Sequence, residues 1–306
     1  MGALEAVILT IITASTPLLL AAIGELVTER SGVLNLGVEG MMIMGAVCGF
    51  ATAYTSGSAM LGVAAGLLAG VVMSMLFAFL TQTLMTSQVA TGLSLTLLGL
   101  GLSGLIGEAF TGLPGVKLTV LDIPFLSDIP FIGPILFGHD ILVYASLAIP
   151  LGVAYVLFRT RLGLIITAVG GNHHSAHALG YNVIRVRYGC IAFGGACSGL
   201  AGAYLSLAYT PQWIENMSSG RGWIALALVV FASWKPWRAF FGAYLFGGIT
   251  IIQLYAQGMG VEVSAQFLSM LPYIATIVVL VIISRDSARA RLDAPACLGK
   301  NFHASG

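Results

Sequence analysis

Long apolar blocks, broken by short clusters of glycine, proline and charge, set the pattern of this chain. A helix needs roughly 20 apolar residues to cross a ~30 Å hydrocarbon core, and the blocks predict about nine spans. They lie near 5–27, 33–54, 59–80, 89–108, 141–158, 189–209, 222–234, 239–257 and 265–284. The count runs from about eight to about ten, because the second block begins inside a polar cluster and the seventh is short of a full crossing. Runs such as "ASLAIPLGVAYVLF" have none of the alternation of a barrel strand, so the spans are helices. The division that follows is a transmembrane domain over 1–284 and a polar tail over 285–306. Two long connections interrupt the domain: residues 109–140, rich in proline, and residues 162–188.

Composition agrees. Hydrophobic residues make up 58% of the 306 positions and charged ones 8%, with mean hydropathy +0.97. A soluble domain is about 45–50% apolar and about 25% charged, so this is an integral membrane protein. A net charge of +1 leaves no basic surface for nucleic acid. Cys48, Cys190, Cys197 and Cys297 lie in apolar segments or the tail and form no disulfide framework. The first apolar run lacks the positive flank of a cleaved signal and is read as a span. Lysine and arginine in loops set orientation. Placing Arg159, Arg161, Arg185, Arg187, Lys235, Arg238, Arg285, Arg289 and Arg291 in the cytoplasm gives a consistent alternation and a cytoplasmic C-terminus. Lys117, Arg221 and the 109–140 loop then lie outside, as does the N-terminus if the number of spans is odd.

The charges also narrow the chemistry. Ion-coupled carriers keep carboxylates deep in their spans. Glu5, Glu25 and Glu108 fall near span ends, and Glu39, in the polar island "TERSGVLNLGVEGMM", is the one acidic residue placed deep. An intramembrane hydrolase needs a nucleophile with a base, or metal ligands, and no histidine lies well inside a span. His173, His174 and His177 cluster in the 162–188 loop, where a solvated helix explains them better than a metal site. No catalytic residue, metal site or bound cofactor is expected. A nucleotide-binding loop is absent, since "GKN" at Gly299 lacks the earlier glycine and the hydroxyl. ATP and magnesium would therefore be handled by a separate subunit gripping "AVGGNHHSAHALGYNVIRVRY". In that segment Asn172 suits a helix N-cap and Gly180 a helix end. Glycines at four-residue spacing, Gly62, Gly66 and Gly70 with Gly195 and Gly199, predict closely packed helices.

Four motifs, in order over roughly residues 10–285, resemble permease subunits of ABC importers for nucleosides and simple sugars, within the branched-chain amino-acid and ribose permease family. They are "ERSGVLNLGVEGMMIMGA", "SQVATGLSLTLLGLGLSG", "GGNHHSAHALGYNVIRVR" and "MSSGRGWIALALVVFASWKP". Departures are Thr96, where nucleoside permeases often carry asparagine, and Gly171, His173 and Tyr181, which replace glutamate, proline and isoleucine in the coupling segment. The resemblance implies an all-α polytopic membrane protein of the type II importer fold in a bacterial inner membrane. It implies three kinds of partner: ABC ATPase subunits, a second permease (a heterodimer by analogy, a homodimer as alternative) and an external solute-binding protein. ATPase coupling would fall to Gly170, Asn172, His173, His174, Ala176 and Gly180. Pathway candidates are Asn35, Glu39, Thr91, Ser94, Tyr204, Gln253 and Tyr255, each with helix packing or interfacial anchoring as the plainer alternative. Trp213, Glu215, Asn216 and Arg221 mark the external mouth. The form of the island and of "GRGWIALA" points to nucleosides or related purines before simple sugars. The competing class is an ion-coupled carrier or a channel.

Overall fold

The computed structural model describes residues 3–121, 132–258 and 294–303, with scattered positions between 267 and 281. Among these described residues eleven α-helices follow one another: α1 Ala3–Arg30, α2 Val38–Ser56, α3 Ala59–Ala78, α4 Gln88–Gly107, α5 Ile132–Phe137, α6 Ile141–Arg159, α7 Arg161–Gly171, α8 His173–Ala178, α9 Val183–Tyr204, α10 Arg221–Phe231 and α11 Pro236–Gly258. A π-helical turn extends α3 over Phe79–Thr83 and another extends α9 over Leu205–Tyr209. Among the described residues there is no named strand, only an isolated bridge between Val120 and Asp140.

Seven of these helices (α1, α2, α3, α4, α6, α9 and α11, with their extensions) are long and apolar enough to cross a membrane. They match seven of the expected spans. The expected span over 222–234 is the short helix α10, and the one over 265–284 falls mostly outside the described residues. Helix starts follow local chemistry. Asp140 Oδ1 accepts from the Leu142 and Val143 amides at 2.9 and 3.2 Å to open α6, and Asn182 Oδ1 accepts from Arg185 at 3.0 Å to open α9. Each fills amide valences that a helix N-terminus leaves open.

The core is a three-helix seam of α2, α3 and α9, where glycines bring backbones into contact. A Cβ on Gly45 would lie 2.7 Å from the Cα of Gly199, and one on Gly70 would lie 2.7 Å from the same atom. Helix α4 joins through Gly40 and Gly99 in the same way, the added Cβ of Gly99 falling 2.7 Å from the Cα of Gly40. Lipid gives apolar helices no hydrophobic reason to associate, so close backbone packing supplies the attraction. Helix α1 packs along the other side of α9 and carries α11 and α10.

Three expectations change. Helix α2 begins at Val38, and residues 31–37 are irregular, because Asn35 and Gly37 fold into a turn closed by the Gly37 amide on Asn35 Oδ1 at 2.9 Å. Helix α9 begins at Val183 rather than 189, which draws Arg187 out of the expected loop into a fully buried helical position. The described part of the tail, read as polar, packs back on the helices, with Cys297 and Phe302 buried.

The seam can be tested by size alone. Gly45→Ala is expected to lower the thermal midpoint of the detergent-solubilised protein, at a cost of about 1–3 kcal/mol for overpacking. Gly152→Ala, where an added Cβ meets nothing within 4 Å, is expected to leave the midpoint unchanged or raise it.

Candidate functional site

Helix α10 has eleven residues, about 16 Å at 1.5 Å per residue, or half of a ~30 Å hydrocarbon core. Both its ends need partners, since unpaired backbone groups away from water are costly. The polar island provides them. At the N-terminus, Glu39 Oε1 accepts from the Ser218 hydroxyl at 2.6 Å and the Gly220 amide at 2.8 Å, while Oε2 accepts from the Gly222 amide at 2.6 Å. A carboxylate there also meets the positive end of the helix dipole. At the other end, the Trp234 indole donates to Glu29 Oε2 at 2.6 Å, and Arg30 donates to the Trp234 carbonyl through Nε at 3.1 Å and Nη2 at 2.9 Å. Two sequence motifs about 180 residues apart thus form one unit.

Asn35 belongs to the same unit: its amide donates to Glu25 Oε1 at 3.1 Å. Glu25 and Glu29, one helical turn apart on α1, are each 1% exposed. The expectation that only Glu39 lies deep is therefore corrected. Helix α1 runs on to Arg30 rather than ending near 27, and this carries both carboxylates into the bundle.

The other pathway candidates do not converge. Thr91 and Ser94 line a groove of about 320 Å³ between α3 and α4 that opens on the outer face of the bundle. Tyr204 is 1% exposed in a core cluster with Val63 and Leu142. Gln253 and Tyr255 lie on α11, which packs on α1, α6 and α10. At the expected mouth, Trp213 is buried against Gly107, while Glu215 and Asn216 are exposed. Arg221 sits over the Tyr209 ring, 5.4 Å from its centroid, and donates to the carbonyls of Met217 and Ser218 at 3.1 and 3.3 Å.

The coupling candidates surround α8. Asn172 Oδ1 accepts from the Ser175 amide at 3.0 Å. At the far end the Gly180 and Tyr181 amides donate to His177 and Ala176 carbonyls at 2.8 and 3.2 Å, with Gly180 at φ +89°. This paired closure needs a left-handed residue, which glycine adopts without strain. His173 and Ala176 face inward and are buried; Asn172, His174 and Gly180 face out, and Leu179 at the tip is 76% exposed. Gly170 packs against the Arg30 carbonyl.

Behind α8 stands Arg187. It donates to His173 Nδ1 at 3.1 Å, Gln82 Oε1 at 3.2 Å, and the carbonyls of Ser31 and Lys300 at 3.3 and 3.0 Å. Burial, and next the charge of Arg187, then those of His174 and Lys300, push the His173 imidazole down to about 4. A neutral ring accepting from a guanidinium is what this pairing requires. Sequence reasoning placed both residues in water. The available signal was the register of Arg187 on the buried face of α9 with Val183, Cys190, Ile191 and Gly194.

Two outcomes follow. Glu39→Gln, which puts an amide donor against backbone donors, is expected to cost about 2 kcal/mol or more, and Glu39→Ala more still, read as thermal midpoint and membrane yield. Because the folded His173 pKa lies below its ordinary 6.5, its stabilisation is complete above that value and is lost as pH falls toward about 4. Hydrogen exchange of α8, corrected for intrinsic rate, should therefore accelerate over that window, and His173→Gln should remove the pH dependence.

Comparison with known proteins agrees with this architecture. The family described as branched-chain amino acid transport system / permease component matches residues 7–283. The putative glucose ABC transporter permease protein TsgC13 of Haloferax volcanii is 39% identical, the alignment covering 95% of each chain. The nucleoside ABC transporter permease protein NupC of Lactococcus lactis is 32% identical, over 95% of this chain and 96% of the relative. The guanosine ABC transporter permease protein NupQ of Bacillus subtilis is likewise 32% identical, over 95% and 96%. No solved structure matches the chain. An all-helical, multi-pass membrane protein carrying these motifs over nearly its whole length belongs to the branched-chain amino acid transport system / permease component family.

Proposed function

We propose that this chain is the permease subunit of an ATP-driven ABC importer that passes a small polar solute inward from an external binding protein. The observation that carries the coupling half of the reading is α8. It is a helix of six residues, capped at both ends, anchored from behind by Arg187 and presenting Leu179 and Tyr181 outward. A short rigid helix with an exposed apolar tip suits insertion into a groove on a partner. The partner in this reading is an ATPase subunit in the cytoplasm, carrying ATP and magnesium, with the C-terminus of this chain on the same side. The groove holding Thr91 and Ser94 opens outward, and Leu93 and Leu97 are exposed on the same helix. That supports a pathway shared with a second permease subunit, different or identical.

Nucleosides lead as the solute, by likeness to two relatives named for nucleoside and guanosine transport. Simple sugars follow, by likeness to the relative named for glucose. A second reading, an ion-coupled carrier, gains support from the buried carboxylates of Glu25 and Glu29, since deep acidic groups serve proton and cation relays.

Uptake of labelled guanosine, adenosine, guanine, ribose and glucose, compared in cells with and without the chain, decides among these. The expected result is guanosine or adenosine uptake that is present with the chain, lost without it, and abolished in wild type by ATP depletion. Uptake that survives ATP depletion and follows an ion gradient would overturn the importer reading. Asn172→Ala and Gly180→Val are expected to lower solute moved per ATP hydrolysed while leaving membrane insertion intact. Normal coupling in both would remove α8 as the docking element.

A further inference from the structure

The tail segment 294–303 is held by hydrogen bonds to residues more than a hundred positions earlier in the chain. The Cys297 amide donates to the Gly170 carbonyl at 2.9 Å, and the Gly299 amide to the Gly32 carbonyl at 3.2 Å. The Lys300 carbonyl takes one of the Arg187 bonds at 3.0 Å. Asn301 accepts from Gln88 Nε2 at 3.2 Å and donates to the carbonyls of Met85 and Thr86 at 2.7 and 3.2 Å. Phe302 is 5% exposed, its ring centroid 5.3 Å from those of His173 and His177 and 5.7 Å from that of His174, over an apolar floor of Val169, Ala176 and Val183. His173 is buried while His174 and His177 keep an exposed side, and the three rings together form the walls of a phenylalanine socket.

Two neighbouring residues of one strand of chain therefore hold two different parts of the permease. Phe302 holds α8. Asn301 holds the turn between α3 and α4, where Met85 sits at φ +56°. That turn is the lip of the groove lined by Leu80, Thr86, Ser87, Thr91 and Ser94. Helix α8 and this turn have no direct hydrogen bond among those described; Arg187, Gln82 and the tail are what join them.

We propose that residues 297–302 form a coupling strap that carries displacement of α8 to the α3–α4 turn and so to the mouth of the groove. This rests on α8 being the ATPase contact. Asparagine and phenylalanine act here as positioning residues, since neither is asked to touch solute. A strap of this kind has a signature that simple stabilisation does not: removing it separates the motion of the turn from the ATPase cycle while leaving hydrolysis running.

The test uses the complex purified through this chain, with Ala90→Cys at the groove as reporter and N-ethylmaleimide as probe, and labelling of the chain without that cysteine subtracted. With the strap intact, trapping the ATPase with ATP and vanadate is expected to change the labelling rate of Ala90→Cys. In Asn301→Ala and Phe302→Ala the change should be lost while vanadate-sensitive hydrolysis persists. Should Phe302→Ala fail to assemble, Asn301→Ala decides, because it removes hydrogen bonds at the protein surface and opens no core cavity. A labelling change retained in the variants, or absent with the strap intact, overturns the proposal. Failure of an ATPase subunit to co-purify with the unaltered chain overturns instead the docking reading beneath it.

Discussion

A helix that stops halfway through a hydrocarbon layer has nowhere to put its terminal amides and carbonyls. That constraint governs the centre of this permease. Helix α10 is only about half the length of a full crossing, and the polar island at the junction of α1 and α2 supplies a carboxylate at one end and a carboxylate with a guanidinium at the other. Elsewhere in an apolar chain such charges would be an expense without return. Here each is spoken for by a backbone group or an indole, and most of the island's irregularity follows from reaching them.

The rest of the bundle is arranged around that unit. Helices α2 and α4 meet at glycines, so the first turn of α2, which carries Glu39, is held at backbone distance from its neighbour. The same device locks α2, α3 and α9 together, and α1 closes the other side. Backbone-to-backbone packing has no side chains to repack, so these helices behave as one block. Helix α8 and the outer edge of α4 lie outside this seam.

How much of this was readable beforehand depended on range. The run over 59–80 became α3 over 59–78 and the run over 141–158 became α6, because an unbroken apolar stretch with a polar flank needs no distant information. Asn172 and Gly180 likewise announced the ends of α8, since a cap is satisfied within a few residues. The depth of Glu25, Glu29 and Arg187 was hidden. A charge is tolerated in the interior only when its partners are present, and these partners lie far along the chain: Trp234 for Glu29, Lys300 and Gln82 for Arg187. Composition alone assigns such charges to loops. The tail was hidden for the same reason, as its polar residues look solvated until the carbonyls they meet are known.

The strap also has a consequence for biosynthesis. Arg187 enters the membrane when α9 is made, but one of its four acceptors is the carbonyl of Lys300, 113 residues later. The socket on α8 likewise waits for Phe302, more than a hundred residues after the histidines that line it. This end of the permease can therefore close only after residues 297–302 have been made. Assembly order is written into the position of this segment: a nascent chain stalled before residues 297–302 presents α8 with an empty socket and Arg187 one acceptor short.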